Sequence, residues 1–207
     1  MRMTGNKRTM AMTAAMLFAL AGLAAPATAQ FTDSFSFLKA VRDRDGPKVA
    51  DAVERPGSLV LNTKDTSTGE AALHILVKRR DSGWLGYLLA KGATVDIRDR
   101  EGNTPLLLAS QMAYVDGARA LLAEGAAVNA FNTRGETPII LAVQARDPVL
   151  TRLLITNGAD PTRPDRIAGK TARDYAAQDS RGIALLKILD EAKPAKAVRP
   201  VMGPVAH

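Results

Sequence analysis

From residue 69 to residue 158 the apolar side chains recur in step every 33 residues. Leu73, Leu106 and Ile139 share one phase, Leu88, Leu121 and Leu154 a second, and Leu89, Leu122 and Ile155 a third. Two glycine columns run with them, Gly69, Gly102 and Gly135, then Gly92, Gly125 and Gly158. A period of this length marks a supersecondary unit too small to bury its own apolar face, which stacks on its neighbours to build one continuous core. Each unit divides in the same way. Thr104-Pro105 and Thr137-Pro138 pair an N-cap hydroxyl with a first helical residue that needs no donor. A short helix is therefore predicted from there to about Met112 or Ala145, burying Leu106, Leu108 and Ala109, or Ile139, Leu141 and Ala142. After a tight break a second helix follows over about Val115 to Glu124, or Pro148 to Asn157, ending at Gly125 or Gly158 in a left-handed cap. The turn-rich stretch from Ala126 to Arg134 suits an extended finger leading to the next unit.

The residues that carry these columns resemble the ankyrin repeat family, whose core reads Gly-x-Thr-Pro-Leu-His-x-Ala, a second helix, then Gly-Ala-Asp-Val-Asn. Gly102-Asn103-Thr104-Pro105-Leu106-Leu107-Leu108-Ala109 and Gly135-Glu136-Thr137-Pro138-Ile139-Ile140-Leu141-Ala142 match the opening. Gly92-Ala93-Thr94-Val95-Asp96, Gly125-Ala126-Ala127-Val128-Asn129 and Gly158-Ala159-Asp160 match the ending. The resemblance covers about residues 34 to 191 and implies an all-α repeat solenoid, each unit a helix-turn-helix with a β-hairpin finger. About five units fit the body between residues 30 and 192. They divide into an N-terminal cap at 34–66, repeats at 67–99, 100–132 and 133–166, and a C-terminal cap at 167–192. Ser36 to Asp43 and Pro47 to Glu54 form the first, degenerate helix pair, with Lys39, Arg42 and Lys48 on its water-facing side. Two residues are extra between Gly57 and Gly92. At the far end Gly169-Lys170-Thr171-Ala172-Arg173-Asp174-Tyr175-Ala176 repeats the opening, and a helix near Arg181 to Glu191 closes the core with Ile183, Leu185, Leu186 and Leu189.

Composition changes the picture at the two ends. Arg2, Lys7 and Arg8 precede an apolar run from Ala14 to Ala25, then Ala27-Thr28-Ala29, so residues 1–29 read as a signal peptide cleaved before Gln30. The run is shorter than the roughly 20 residues of a membrane span, and no stable span is expected. The mature protein is expected in the periplasm or secreted. The formal charge of +7 suggests a nucleic-acid partner until it is located. The leader and the stretch 193–207, with Lys193, Lys196 and Arg199, hold six of the 28 basic residues and no acid, leaving the body at a net of about +1. Neither that balance nor 4% aromatics calls for nucleic acid. Residues 193–207, with Pro194, Pro200 and Pro204, are expected to be a disordered basic tail.

The inventory for chemistry is thin. With no cysteine and only His74 and His207, neither a metal site nor a thiol nucleophile is expected, and no cofactor. His74 stands at the histidine of the family motif, which implies bonds to the threonine hydroxyl and to backbone of neighbouring loops. Here Ala71 and Ala72 replace Thr-Pro, while Leu107 and Ile140 replace histidine where the threonine is kept. A packed structural histidine is expected. Gly169-Lys170-Thr171 imitates the end of a phosphate loop, but Pro164 stands where that loop needs glycine. Asp96, Asp99 and Glu101 alternate with Arg98 and Arg100 and read as a solvated, self-neutralised finger. Trp84 and Tyr87 belong to the core-facing or rear surface of a second helix. No enzyme is expected. In the family, fingers and first helices make a concave face that grips protein partners. On that face lie Ser67, Glu70, Lys78 and Arg79, then Arg100, Glu101, Asn103, Gln111 and Met112, then Thr133, Arg134, Glu136 and Gln144, with Phe131 as the best apolar anchor. The expected protein is a monomeric scaffold for a protein partner. The alternative is an envelope-surface binder that uses the basic tail on anionic lipid or polymer.

Overall fold

Pairs of short helices succeed one another through residues 27–178 and 182–191, the part of the chain that the computed structural model describes. They are α1 (Ala27–Asp43) and α2 (Gly46–Glu54), α3 (Ala72–Lys78) and α4 (Ser82–Ala90), α5 (Pro105–Gln111) and α6 (Val115–Ala123), α7 (Pro138–Gln144) and α8 (Pro148–Thr156), α9 (Ala172–Ala177) and α10 (Ile183–Glu191). A single 3₁₀ turn, Val60–Asn62, occupies the longer connection after α2. The first helices α3, α5, α7 and α9 pack side to side in one layer. The second helices α4, α6 and α8 form the other, while α1 covers α3 and α10 closes against α8 and α9. The tail and all but the last three residues of the expected leader lie outside the described residues. α1 starts earlier than the predicted Ser36 and runs through the position of the expected cleavage.

α3, α5 and α7 are apolar nearly all round because each is enclosed by a neighbour on either side and by its own second helix, whereas α9 exposes Arg173, Asp174 and Ala177. Leu73, Leu106, Leu107, Ile139 and Ile140 are buried, as are Leu121, Leu150 and Leu154 from the second layer. The expected core therefore gains Leu107 and Ile140, which fill the histidine register. Asp45, Asp81 and Asp147 cap α2, α4 and α8 with side-chain oxygens. Thr104 Oγ1 caps α5 by accepting from Leu107 N at 3.3 Å. The same cap was expected at Thr137, but its hydroxyl is buried without a hydrogen-bond partner. Its backbone keeps the cap conformation, so proline and packing start α7 without that bond.

Both helices of a unit end in the same backbone device. After the second helices, Gly92, Gly125 and Gly158 take positive φ and the next N–H reaches back, as Ala126 N does to Leu121 O at 3.0 Å. After the first helices the left-handed position falls to Arg44, Arg80, Ala113 and Arg146, and Tyr114 N bonds Ala109 O at 2.8 Å. L side chains resist this conformation by about 1–2 kcal/mol. Two of the arginines reach across to the next unit, Arg44 toward Asp81 at 3.8 Å and Arg80 to Met112 O. Ala113 has no side chain with which to do so.

The fingers depart from the expected β-hairpin. Among the described residues there is no strand, only an isolated bridge between Lys64 and Ala71. An Asp or Asn at each tip takes the N–H groups that a second strand would use. Asp65 accepts from Ser67 N and Thr68 N, Asp99 from Glu101 N and Asn103 N, Asn132 from Arg134 N and Glu136 N, and Asp165 from Ile167 N and Ala168 N. Backbone bonds help to close each turn, as from Asp99 N to Asn103 O at 3.0 Å and from Gly102 N back to Asp99 O at 3.1 Å. The finger is thus a side-chain-closed turn.

Two stability measurements follow. Ala113→Gly relieves the left-handed strain, less the extra freedom of glycine in the unfolded chain, and is expected to raise stability by about 0.5–1 kcal/mol in thermal unfolding. A lowered midpoint would contradict that reading of the turn. Thr104→Val is expected to cost about 1 kcal/mol, whereas Thr137→Val, which removes an unpaired buried hydroxyl, is neutral or stabilising. Equal losses at the two sites would show that both hydroxyls cap their helices.

Candidate protein-binding face

Successive fingers are tied edge to edge. Arg100 N donates to Thr68 O at 3.1 Å, Thr133 N to Glu101 O at 2.9 Å and Arg166 N to Arg134 O at 2.8 Å. The first glycine column serves this approach. A Cβ on Gly135 would lie 2.7 Å from Arg166 N, and φ there is +78°. Side chains repeat the tie further along each unit. Asn62 Oδ1 accepts from Thr94 N, Asp96 from Ala127 N, and Asn129 Oδ1 from Asp160 N, at 2.8, 3.0 and 2.8 Å. Asp96 and Asn129 are the family-motif endings, so those columns carry inter-unit bonds.

His74 forms another tie. Its Nδ1 accepts from Ala71 N at 3.2 Å, which leaves Nε2 to donate to Asn103 O at 3.0 Å. It binds backbone in its own unit and the next, as the resemblance implied, with no threonine hydroxyl involved. Burial pushes its pKa below the ordinary value, against the opposing pull of the Asn103 carbonyl and of Asp99 and Glu70. One unit further on, asparagine takes over, with Asn132 Nδ2 donating to Asn103 Oδ1 at 3.1 Å and to Glu136 at 2.8 Å. Two of the tip carboxylates, Asp65 and Asp165, are held in their charged form. The Ser67 hydroxyl, then its N–H and Arg42, keep Asp65 far below the usual carboxylate range. Burial works against Asp165, but the Tyr175 hydroxyl and backbone N–H groups outweigh it and lower its pKa.

The residues expected to meet a partner separate into three groups. Lys78, Gln111 and Gln144 are exposed and each is the last residue of a first helix, so they form one row across three units. Arg79 and Met112, at the C-caps beside that row, are half-buried. A second group is engaged within the face. Lys78 pairs with Glu70, Arg134 pairs with Glu136 at 2.8 Å, and Arg100 donates to Thr66 O. Ser67, Glu101 and Thr133 are exposed on the fingers. Asn103 corrects the sequence expectation of a surface contact. It is 5% exposed, and its amide is divided among Asp99, Glu101 and Asn132. Its place after the finger glycine puts it in the stacking interface.

Phe131 corrects the expectation in another way. The ring is half-buried and lies under Arg98, Arg163 and Arg166, whose guanidinium carbons stand 5.9, 4.1 and 5.1 Å from its centroid. Arg98 also donates to Gly102 O at 2.9 Å and Phe131 O at 2.7 Å. The apolar anchor is thus a platform for three cations. In the sequence Arg98 reads as part of a self-neutralised finger, and no local pattern marks Arg163 or Arg166. Their approach depends on the next finger folding back, for which the 33-residue step of Arg100, Thr133 and Arg166 was the available signal. Trp84 and Tyr87 pack edge to face, 5.0 Å between centroids, against the rear of the core.

A model of ankyrin repeats in three copies matches residues 48–132, and a model of ankyrin repeats in many copies matches residues 121–176. The chain belongs to the ankyrin repeat family. No curated protein matches it. Ankyrin repeats generally mediate protein–protein interaction and typically serve as non-enzymatic scaffolds. Among the described residues no helix of this ankyrin repeat protein is long and apolar enough to cross a membrane, and no cluster of carboxylates and histidine could hold a metal ion.

The buried histidine gives this protein a measurable pH dependence. Because its folded pKa is depressed, the contribution of His74 to stability is complete above the ordinary value near 6.5. As pH falls below that, the unfolded chain takes up a proton that the folded chain refuses, and stability is lost until the folded pKa is reached. One proton allows a slope of at most about 1.4 kcal/mol per pH unit. His74→Leu, which installs the residue found at position 107, is expected to flatten the fall in unfolding free energy between about pH 7 and 5. Identical slopes for the two proteins would remove His74 from the account.

Proposed function

We propose that the protein is exported across the cytoplasmic membrane and works in the periplasm or outside the cell as a scaffold that holds a protein partner against its fingers and first-helix ends. The observation that carries this reading is the row Lys78, Gln111 and Gln144, exposed at the same place in three units and flanked by fingers bonded to one another. A face tied in this way loses little freedom on docking, so modest contacts can suffice. Export rests on the basic, apolar and small-residue pattern of residues 1–29. The scaffold reading rests on the family and on the absence of a nucleophile and base pair in the sequence inventory.

A photo-crosslinking residue placed at Gln111 or Gln144 in cells is expected to trap a protein adduct. The same probe at Glu124 or Asn157, exposed at the ends of second helices, is expected to trap none. Adducts from the second-helix positions alone would move the binding surface to the other layer. The mass of the exported form is expected to begin at Gln30, and an uncleaved cytoplasmic protein would overturn the location. Removing residues 193–207 separates the scaffold from an anionic-surface binder. Adducts at Gln111 persist in the scaffold reading, while their loss together with envelope association favours the tail.

A further inference from the structure

We infer that Arg98, Arg163 and Arg166, gathered on the Phe131 ring, form a docking site for an acidic peptide segment presenting closely spaced carboxylates; this deepens the scaffold reading by naming its partner chemistry. Three guanidinium carbons lie within 5.9 Å of one ring centroid, brought there by consecutive fingers. Among the described residues none of the three forms an ion pair with a carboxylate, although the chain between its basic ends is nearly neutral. Neighbouring acids are engaged elsewhere. Asp96 accepts from Ala127 N, Asp99 closes its finger, and Asp165 accepts from Tyr175 and its own turn. Among the described residues the side chains of Arg163 and Arg166 also have no hydrogen-bond partner, so their planar sets of donors stay open.

Like charges do not collect without compensation. The face of Phe131 attracts each guanidinium, which offsets part of their repulsion and restricts their orientation. The Arg98 guanidinium is further held by two backbone carbonyls, and the backbone of Arg166 is fixed by its N–H on Arg134 O. Guanidinium forks match carboxylates in bidentate geometry. A nucleic-acid strand fits less well. The ring is occupied by cations and offers no platform on which a base could stack.

The test is fluorescence anisotropy of the full chain with a labelled peptide of alternating Glu and Gly, and a Lys and Gly peptide as its counterpart. The acidic peptide is expected to bind and the basic one not. Arg163→Glu with Arg166→Glu is expected to weaken binding about tenfold or more, and Arg163→Gln with Arg166→Gln guards against a folding defect. Phe131→Ala is expected to weaken binding with helical content unchanged. Reversing Arg119 and Lys187, exposed on α6 and α10, gives the same change in net charge and is expected to have little effect. Equal weakening by that control, or none in either double variant, overturns the proposal. So does tighter, cluster-dependent binding of inorganic phosphate or of phosphatidylglycerol vesicles. The two readings fail separately. Adducts at Gln111 that survive the double variant leave the scaffold standing without this site, and peptide binding without such adducts leaves this site standing without that face.

Discussion

No helix pair in this chain can bury its own apolar surface. α5 and α6 carry Leu106, Leu107, Leu108 and Leu121 within 16 consecutive residues, and a lone pair would leave much of that in water. Burial is achieved only because α3 and α7 stand on either side of α5. Stability is therefore a property of interfaces between units, as in any quasi-one-dimensional array. The requirement also explains why the ends look different from the middle. α1 is much longer than α3, the first helix it covers, and α10 packs on the last second helix and the last first helix together. Each is amphipathic, with Phe37, Leu38 and Val41 inward at one end and Leu185, Ile188 and Leu189 at the other.

Stacking fixes the spacing of units, and the fingers must then meet edge to edge at that spacing. A single backbone bond between successive fingers would be a weak tie. It is reinforced by the Asx closure of each tip and by the side-chain ties from Asn62, Asp96 and Asn129. Polar residues in the interface are tolerated because they are paired. Asn103 is nearly sealed from water, yet its amide has carboxylate and asparagine partners. Thr137 and Ser110 lie outside that pattern, with buried hydroxyls that have no hydrogen-bond partner among the described residues. The histidine that would stand near the threonine in the family motif is replaced by Ile140, which can neither donate nor accept.

How much of this could be read from residues alone depended on whether the governing interaction was local or between units. Helix positions were legible because their causes are local: Thr-Pro at the start, glycine at the end, and an apolar pattern between. The finger was misread as a hairpin because Asp and Asn compete for backbone N–H groups over two to four residues, which an extended pattern does not reveal. Asn103 was misplaced because its burial comes from Asn132 in the following unit, 29 residues away. Phe131 reads from the sequence as an apolar anchor because its covering arginines come from before and after it in the chain. In the last two cases the missing information was what the adjacent unit places opposite the residue.

That contrast bears on which part of the face could discriminate between partners. Glu70 with Lys78, and Arg134 with Glu136, are largely satisfied within the face, and exposed pairs of this kind contribute little free energy. Gln111 and Gln144 offer hydrogen bonds but no net charge, so they suit contact more than selection. The arginines on Phe131 differ in having no counter-ion among the described residues and in being held by a ring and by carbonyls. An uncompensated charge cluster rejects wrong partners as strongly as it attracts the right one, because like charges brought against it are costly. Specificity would then lie at one end of the row, where three fingers converge, while the helix ends supply the area.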